Sequence, residues 1–406
     1  MNADIVAPGY QRNITLLYAY SVSIKRVALP ILVVFYLAQG LTYTQIGIIA
    51  AVQQLMLILF DVPTGVITDK FGCKFSMVTA AILSTFSMTL IYASTSFTAF
   101  VVASALYGLG FAFDSGTRST LLFGSLTKKG KTSFGKYYGK IISFAYLINA
   151  FLLLTVPLLA QFDLRWPILI NVGICAASIL IVLGFKEPVI TRHSHEHNYK
   201  HILTTAVKTL KQSRQAQFIT AFATLVLAFL YVLMESKQAF MNEVGLPVTL
   251  FGAVYFGMRI LYSMSSYLTH RLQQHISGKT MVFVGVVAVA AGLLGLGLVG
   301  TVYGLIFILW LAFIEGFLRI FLEDEINSVI PDNVRATVLS LKSSITSLFQ
   351  AGLAVLLGYL ADNLGLMPMF IVAAALFTAL SVIVIIIYRK ELSALVIKRE
   401  ADHVLD

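Results

Sequence analysis

Lys186 to Arg214, KEPVITRHSHEHNYKHILTTAVKTLKQSR, is the one long hydrophilic segment between the apolar stretches of a 406-residue chain. Before it come apolar stretches at about residues 14–38, 45–67, 75–95, 98–123, 136–160 and 164–185. After it come 217–242, 248–270, 280–299, 302–326, 336–361 and 367–388. Each has the length that crosses a hydrocarbon core of about 30 Å. Lipid cannot satisfy backbone polar groups, so spanning segments are helices or strands of a closed barrel. Barrel strands are shorter and alternate in polarity; these stretches do neither. Charged residues make up 12% of the chain, roughly half the share of about 25% found in soluble domains. The expected fold is an all-α membrane protein of about twelve transmembrane helices in two pseudo-symmetric six-helix bundles. The expected domains are 1–185, a cytoplasmic linker 186–215, and 216–406 with a cytoplasmic tail.

The formal charge of +10 points to nucleic acid in a soluble protein, but here the basic residues gather in the loops of one side. With the N-terminus inside, the inner loops hold Lys70, Lys74, Lys128, Lys129, Lys131, Arg271, Lys279 and Arg335, and the tail adds Arg389, Lys390, Lys398 and Arg399. Arg165 is the outer exception. The excess of Lys and Arg in short cytoplasmic loops sets orientation, so both termini are expected on the cytoplasmic side of a cell (inner) membrane. Cys73 and Cys175 lack disulfide or zinc spacing and are expected to pack. Met1–Arg12 lacks the pattern of a cleaved leader. His193, His195, His197 and His201 sit in the linker as a solvated tether, metal capture being the sharper alternative. The expectation is no metal site and no cofactor.

At the end of the second span stands Asp61-Val-Pro-Thr-Gly65-Val-Ile-Thr-Asp69-Lys70-Phe-Gly72-Cys73-Lys74. It resembles the loop signature of the major facilitator superfamily, Gly-x-x-x-Asp-(Arg/Lys)-x-Gly followed by basic residues, at the place that family has it. Cys73 replaces one basic residue. The resemblance implies a cytoplasmic gate made of Asp61, Gly65, Asp69, Lys70, Gly72 and Lys74. In it Asp69 faces the positive end of the span-eleven helix dipole. Gly358-Tyr-Leu-Ala-Asp362-Asn-Leu-Gly365 echoes the signature at the outer end of span eleven, as inverted repeats allow. Phe113–Leu126 and Asn327–Leu341 resemble a bacterial subgroup of the superfamily, although Arg118, Ser119 and Gly124 stand where that subgroup often has acids. The resemblance to drug antiporters is partial: Gly108 and Gly110 are kept, Ser104 replaces the expected Arg, and Lys136–Ala160 lacks the Gly-Pro-rich motif.

A charge at mid-helix costs about 2.5–3.5 kcal/mol to insert, so intramembrane charges are functional candidates. Lys25 and Arg26 fall near the middle of span one, where helical spacing puts Tyr18, Ser21 and Lys25 on one face. Spans four and ten repeat one device, Asp114 with Arg118 and Glu315 with Arg319, an acid four residues before its base. Each is a permanent local pair or a pair that releases one partner on binding. Span seven carries the polar stripe Tyr231, Glu235, Gln238 and Asn242, with Lys237 expected off it near the outer surface. Span eight carries Tyr255, Arg259, Tyr262 and Ser266. The expected substrate pathway is Lys25, Arg26, Asp114, Arg118, Glu235, Arg259, Glu315 and Arg319. Glu235, Glu315 and Asp114 are the proton-coupling candidates.

These residues describe a secondary active transporter, expected to be a monomer in the lipid bilayer that moves a small molecule by alternating access, with protons as the coupling ion. Proton-coupled efflux of a drug-like molecule or metabolite is the leading expectation, and import of an organic anion or zwitterion the alternative. Bases outnumber acids in the deep set, which favours an anionic or zwitterionic group. A membrane-embedded enzyme lacks support: there is no His-Glu-x-x-His and no Gly-x-Ser-x-Gly. A sensor would need an appended signalling module. No nucleic-acid partner is expected.

Overall fold

The computed structural model describes residues 6–188, 207–208, 210–331 and 334–402. The spans form as helices within a few residues of the expected limits. They run Gln11–Ser23 and Leu32–Ala38 (first), Tyr43–Phe71 (second), Cys73–Ala93 (third), Phe97–Asp114 and Thr117–Ser125 (fourth), Phe134–Thr155 (fifth) and Arg165–Leu183 (sixth). The others are Arg214–Glu243, Phe251–Gln273, Gly278–Leu298, Leu305–Val329, Arg335–Leu364 and Leu366–Ile387, with Arg389–Asp402 after them. Among the described residues there is no strand, only one isolated bridge between Val6 and Leu126. The linker histidines lie outside the described residues.

Ten of these helices are long and apolar enough to cross a membrane. The other two expected spans fall short for different reasons. Span eight carries Arg259 and Arg271 among tyrosines and serines, and span one is interrupted. Leu59, Phe86, Leu147, Leu180, Val287 and Ile386 are exposed, an apolar outer surface of the kind that a soluble protein rarely presents and a bilayer covers.

Contacts group the chain into two units. One takes the described residues of Met1–Leu41, Ile48–Ser194 and Pro247–Phe256; the other takes those of Thr42–Gly47, His195–Leu246 and Gly257–Asp406. In the first, span three packs on spans four and six, and the opening helix Gln11–Ser23 packs on spans five and six. In the second, span seven packs on spans ten, eleven and twelve, and span nine on spans ten and twelve.

Two departures from the sequence expectation matter for the site. Span one, read as a single helix over 14–38, stops at Ser23 and resumes as a 3-10 turn at Leu29–Ile31 before Leu32–Ala38. Pro30 sits in that turn; a proline is tolerated at a helix start but kinks or breaks a helix interior. Span four, read as one helix over 98–123, breaks between Asp114 and Thr117, where Gly116 takes φ +71°. Gly108 has a separate role in span four. A β-carbon there would lie 2.5 Å from the Gln53 carbonyl oxygen, so only glycine lets the second and fourth spans close at this level.

Candidate solute-binding site

Irregular backbone at membrane depth persists only where protein buries it or it lines a polar cavity. The break in span one meets this condition through span six. Asn171, completely buried, accepts the Ala28 N–H at its Oδ1 (3.1 Å) and donates from Nδ2 to the Lys25 carbonyl (3.3 Å). One side chain thus takes up a donor and an acceptor that a continuous helix would have paired internally.

Lys25 and Arg26 sit inside this break, not on a helix. The face shared by Tyr18, Ser21 and Lys25 therefore ends at Ser23, and Lys25 is placed by the bend instead. Its Nζ lies 5.7 Å from the Tyr146 ring centroid. The Arg26 guanidinium is stacked 3.3 Å from the ring centroid of Tyr107, and its Nη1 donates to Gln53 Oε1 at 2.7 Å. The close approach at Gly108 sets both partners, since Tyr107 is its neighbour and Gln53 is the residue it meets.

The break in span four builds the other wall. Asp114 ends one helix and Arg118 lies in the first turn of the next, and the two close across the break at 2.9 Å. Tyr20 donates its hydroxyl to Asp114 Oδ1 at 3.1 Å. Ile24, Lys25, Ser84, Tyr107, Gly110, Phe111 and Asp114 line a cavity of about 60 Å³. That is room for a few water molecules but far below the roughly 300 Å³ at which organic-ligand pockets begin. Of the expected pathway residues, Lys25 and Asp114 line this niche, and Arg26 and Arg118 contact its walls through Tyr107 and Asp114, three cations to one anion. Arg26 Nε and Arg118 Nη1 are buried N–H groups without an acceptor among the described residues.

In the second unit, Glu315 Oε1 faces Arg319 Nη2 at 3.5 Å, a longer pair than its counterpart. Arg259 is exposed, Glu235 half-buried and Gln238 buried. Lys237, expected off the polar stripe, is completely buried, 0% exposed.

The loop signature is organised from span six. Gly72 takes φ +99° and caps the third span, whose first N–H groups, Cys73 and Lys74, donate to Glu187 Oε1 (2.8 Å) and Oε2 (2.7 Å). A β-carbon on Gly72 would lie 2.8 Å from that carboxylate. Lys74 Nζ donates to the Leu183 carbonyl at 2.7 Å. Asp69 and Lys70 are exposed, Asp61 is half-buried, and a β-carbon on Gly65 would meet nothing within 4 Å. The echo at Asp362 uses the helix-dipole chemistry outright. Its carboxylate accepts the Tyr43 and Thr44 N–H groups, both at 2.8 Å, and the Thr44 hydroxyl, capping the start of span two. That first turn, Thr42–Gly47, clusters with the second unit. Among the described residues no group of three or more His, Cys, Asp or Glu could hold a metal ion.

Comparison with known proteins agrees with this architecture. The sequence profile of the Major Facilitator Superfamily matches residues 14–341. The chain belongs to that superfamily. It is 20% identical over 362 residues to the uncharacterized MFS-type transporter YxaM of Bacillus subtilis (strain 168), covering 85% of this chain and 88% of that one. Among solved structures, the nucleoside transporter NupG superposes with a TM-score of 0.76 at 12% identity, over 93% of this chain and 98% of that one. A POT family transporter in complex with 5-aminolevulinic acid gives 0.67 at 15% identity, over 94% and 96%. The protein is thus a multi-pass membrane transporter with the all-α fold of its superfamily.

The sequence reading missed Asn171, Gln53, Tyr107, Tyr20 and Glu187. Pro30, next to two intramembrane cations, was the signal for the break; Glu187-Pro188, directly after span six, was the signal for the cap. Asn171 carried no signal beyond being polar in an apolar helix.

Proposed function

We propose that this transporter is a proton-coupled secondary carrier that moves a small organic solute bearing an anionic or zwitterionic group. The observation that carries the reading is the broken first span. Discontinuous helices at membrane depth form substrate sites in carriers. This one holds Lys25 and Arg26 beside Arg118, with a single acid, Asp114, among them. Spare guanidinium N–H groups match carboxylate or phosphate oxygens. The cavity is too small for a whole solute, so binding needs the niche to enlarge within the first unit; alternating access of bundles 1–185 and 216–406 is the proposed cycle. The 186–215 linker then joins the bundles on the cytoplasmic side of a cell (inner) membrane, with the monomer as the working unit.

Glu235, Glu315 and Asp114 are the proposed proton carriers, and Asp61, Gly65, Asp69, Lys70, Gly72 and Lys74 the proposed cytoplasmic gate. Export of a metabolite or drug-like molecule is the direction the subgroup resemblance implies. Import of an organic anion is the second reading, favoured by the excess of cations at the break. The 5-aminolevulinic acid bound by a transporter of this fold is a small zwitterion of the proposed class.

The test is solute flux in proteoliposomes under an imposed pH gradient, with a panel of organic acids, zwitterions and lipophilic cations. Flux of an acid or zwitterion driven by the gradient, and uncoupled by Glu235→Gln or Glu315→Gln, is the expected result. Preference for lipophilic cations, or flux indifferent to the gradient, contradicts it.

A further inference from the structure

Among the described residues, Lys237 is the one charged residue in the set of largest fully buried side chains, and its Nζ has no hydrogen-bond acceptor. An ammonium taken out of water without a partner costs several kcal/mol. Membrane helices keep such a residue when it serves the transport path or finds an anion there. Span seven packs against span ten, where Glu315 acts on Lys237 with opposite sign, and Arg259 on span eight acts with like sign. Glu315 does not reach it in a direct ion pair; its carboxylate faces Arg319 instead.

That contact is loose. Glu315 and Arg319 stand at 3.5 Å, with Arg319 36% exposed and Glu315 14% exposed. The matching pair in the first unit closes to 2.9 Å with its acid only 4% exposed, and a tyrosine hydroxyl completes it. One acid in the second unit is therefore weakly held by a half-buried arginine, while a buried lysine in its field lacks an acceptor.

We propose that Glu315 exchanges partners, leaving Arg319 for Lys237 when Arg319 takes a carboxylate or phosphate group of the transported solute, at a step of its passage other than binding at the broken first span. This rests on the carrier reading above. Arg319 is the better of the two cations for the solute, because its planar fork binds such groups through two parallel hydrogen bonds. Lys237 is then a positioning residue. It acts through Glu315, and the pair it gains offsets the pair the solute breaks.

The exchange is testable without knowing the solute, because removing Arg319 mimics its capture. In the full-length protein, Lys237→Met removes a buried unpartnered amine at similar volume and should leave the melting temperature unchanged or raise it. In an Arg319→Ala background, where Glu315 has turned to Lys237, the same Lys237→Met change should lower it by at least about 2 °C. Arg319→Gln serves as a second background if Arg319→Ala yields no folded protein. Adding Glu315→Gln to the Arg319 variant should abolish the destabilising effect of Lys237→Met. An equal effect of Lys237→Met in both backgrounds, or destabilisation already in the parent protein, overturns the proposal. Loss of the sign change with flux intact overturns the exchange alone. A sign change without flux supports the exchange and removes only the carrier reading.

Discussion

Replacing Asn171 by leucine isolates the one side chain that bridges the break in span one. Leucine keeps the branched shape and the heavy-atom count of the asparagine side chain without its hydrogen-bonding groups. It removes the acceptor for the Ala28 N–H and the donor to the Lys25 carbonyl. Each buried backbone group left unpaired costs about 1–3 kcal/mol, so the bend, with two such groups, should lose roughly 2–6 kcal/mol of local stability. At about 1.36 kcal/mol per tenfold, amides of residues 24–28 should exchange with solvent at least roughly 30-fold faster. Hydrogen exchange read by mass spectrometry on the protein in lipid nanodiscs measures this, with the ninth span as the internal reference. Local acceleration confined to the break is the expected result. Unchanged exchange at residues 24–28, or uniform acceleration across the first unit, refutes the claim that Asn171 holds the bend.

Other substitutions separate the parts of the account. Arg26→Lys keeps the charge but loses the planar stack on Tyr107 and the fork that reaches Gln53, so affinity for an anionic solute should fall about tenfold or more in a binding titration. Gly72→Ala forces a side chain into φ +99° and against the Glu187 carboxylate; it should destabilise by about 1–3 kcal/mol, whereas Gly65→Ala should be nearly neutral, as melting curves will show. Asp362→Ala removes the cap of span two and should cost about 1 kcal/mol, seen as a small drop in melting temperature. Asp69→Asn, at an exposed carboxylate, should slow turnover while leaving solute affinity unchanged in the same vesicles.

Much of the fold is legible in the sequence because hydrophobic length is a coarse property that averages over about twenty residues. The second, third, sixth, ninth and twelfth spans form close to where their apolar stretches lie. The two helix breaks are not legible by that averaging. Around Lys25 the apolar residues continue on both sides, and only Pro30 marks the change. Around Asp114 the signal is Ser115-Gly116, two small residues easily absorbed into a long span. For the site, residue type was informative and direction was not. Glu315 with Arg319 pairs as its spacing on one helix dictates, whereas Asp114 meets Arg118 across a helix break that the spacing alone does not encode. Lys237 is different: which face of span seven it occupies depends on the packing of spans ten, eleven and twelve, which no local pattern encodes. Asn171 and Glu187 act on backbone groups far away in the chain, so their partners appear only in three dimensions.

The most direct test of the central claim is whether the niche beside the break lies on the solute path. Ser84 lines it and is small, so Ser84→Cys in a protein with Cys73→Ala and Cys175→Ala places a single thiol there with little disturbance. Its labelling by a membrane-impermeant thiol reagent should occur from one side of the vesicle and should be blocked by the transported solute. A thiol that never labels, or labels equally with and without a solute the vesicles still transport, contradicts the account.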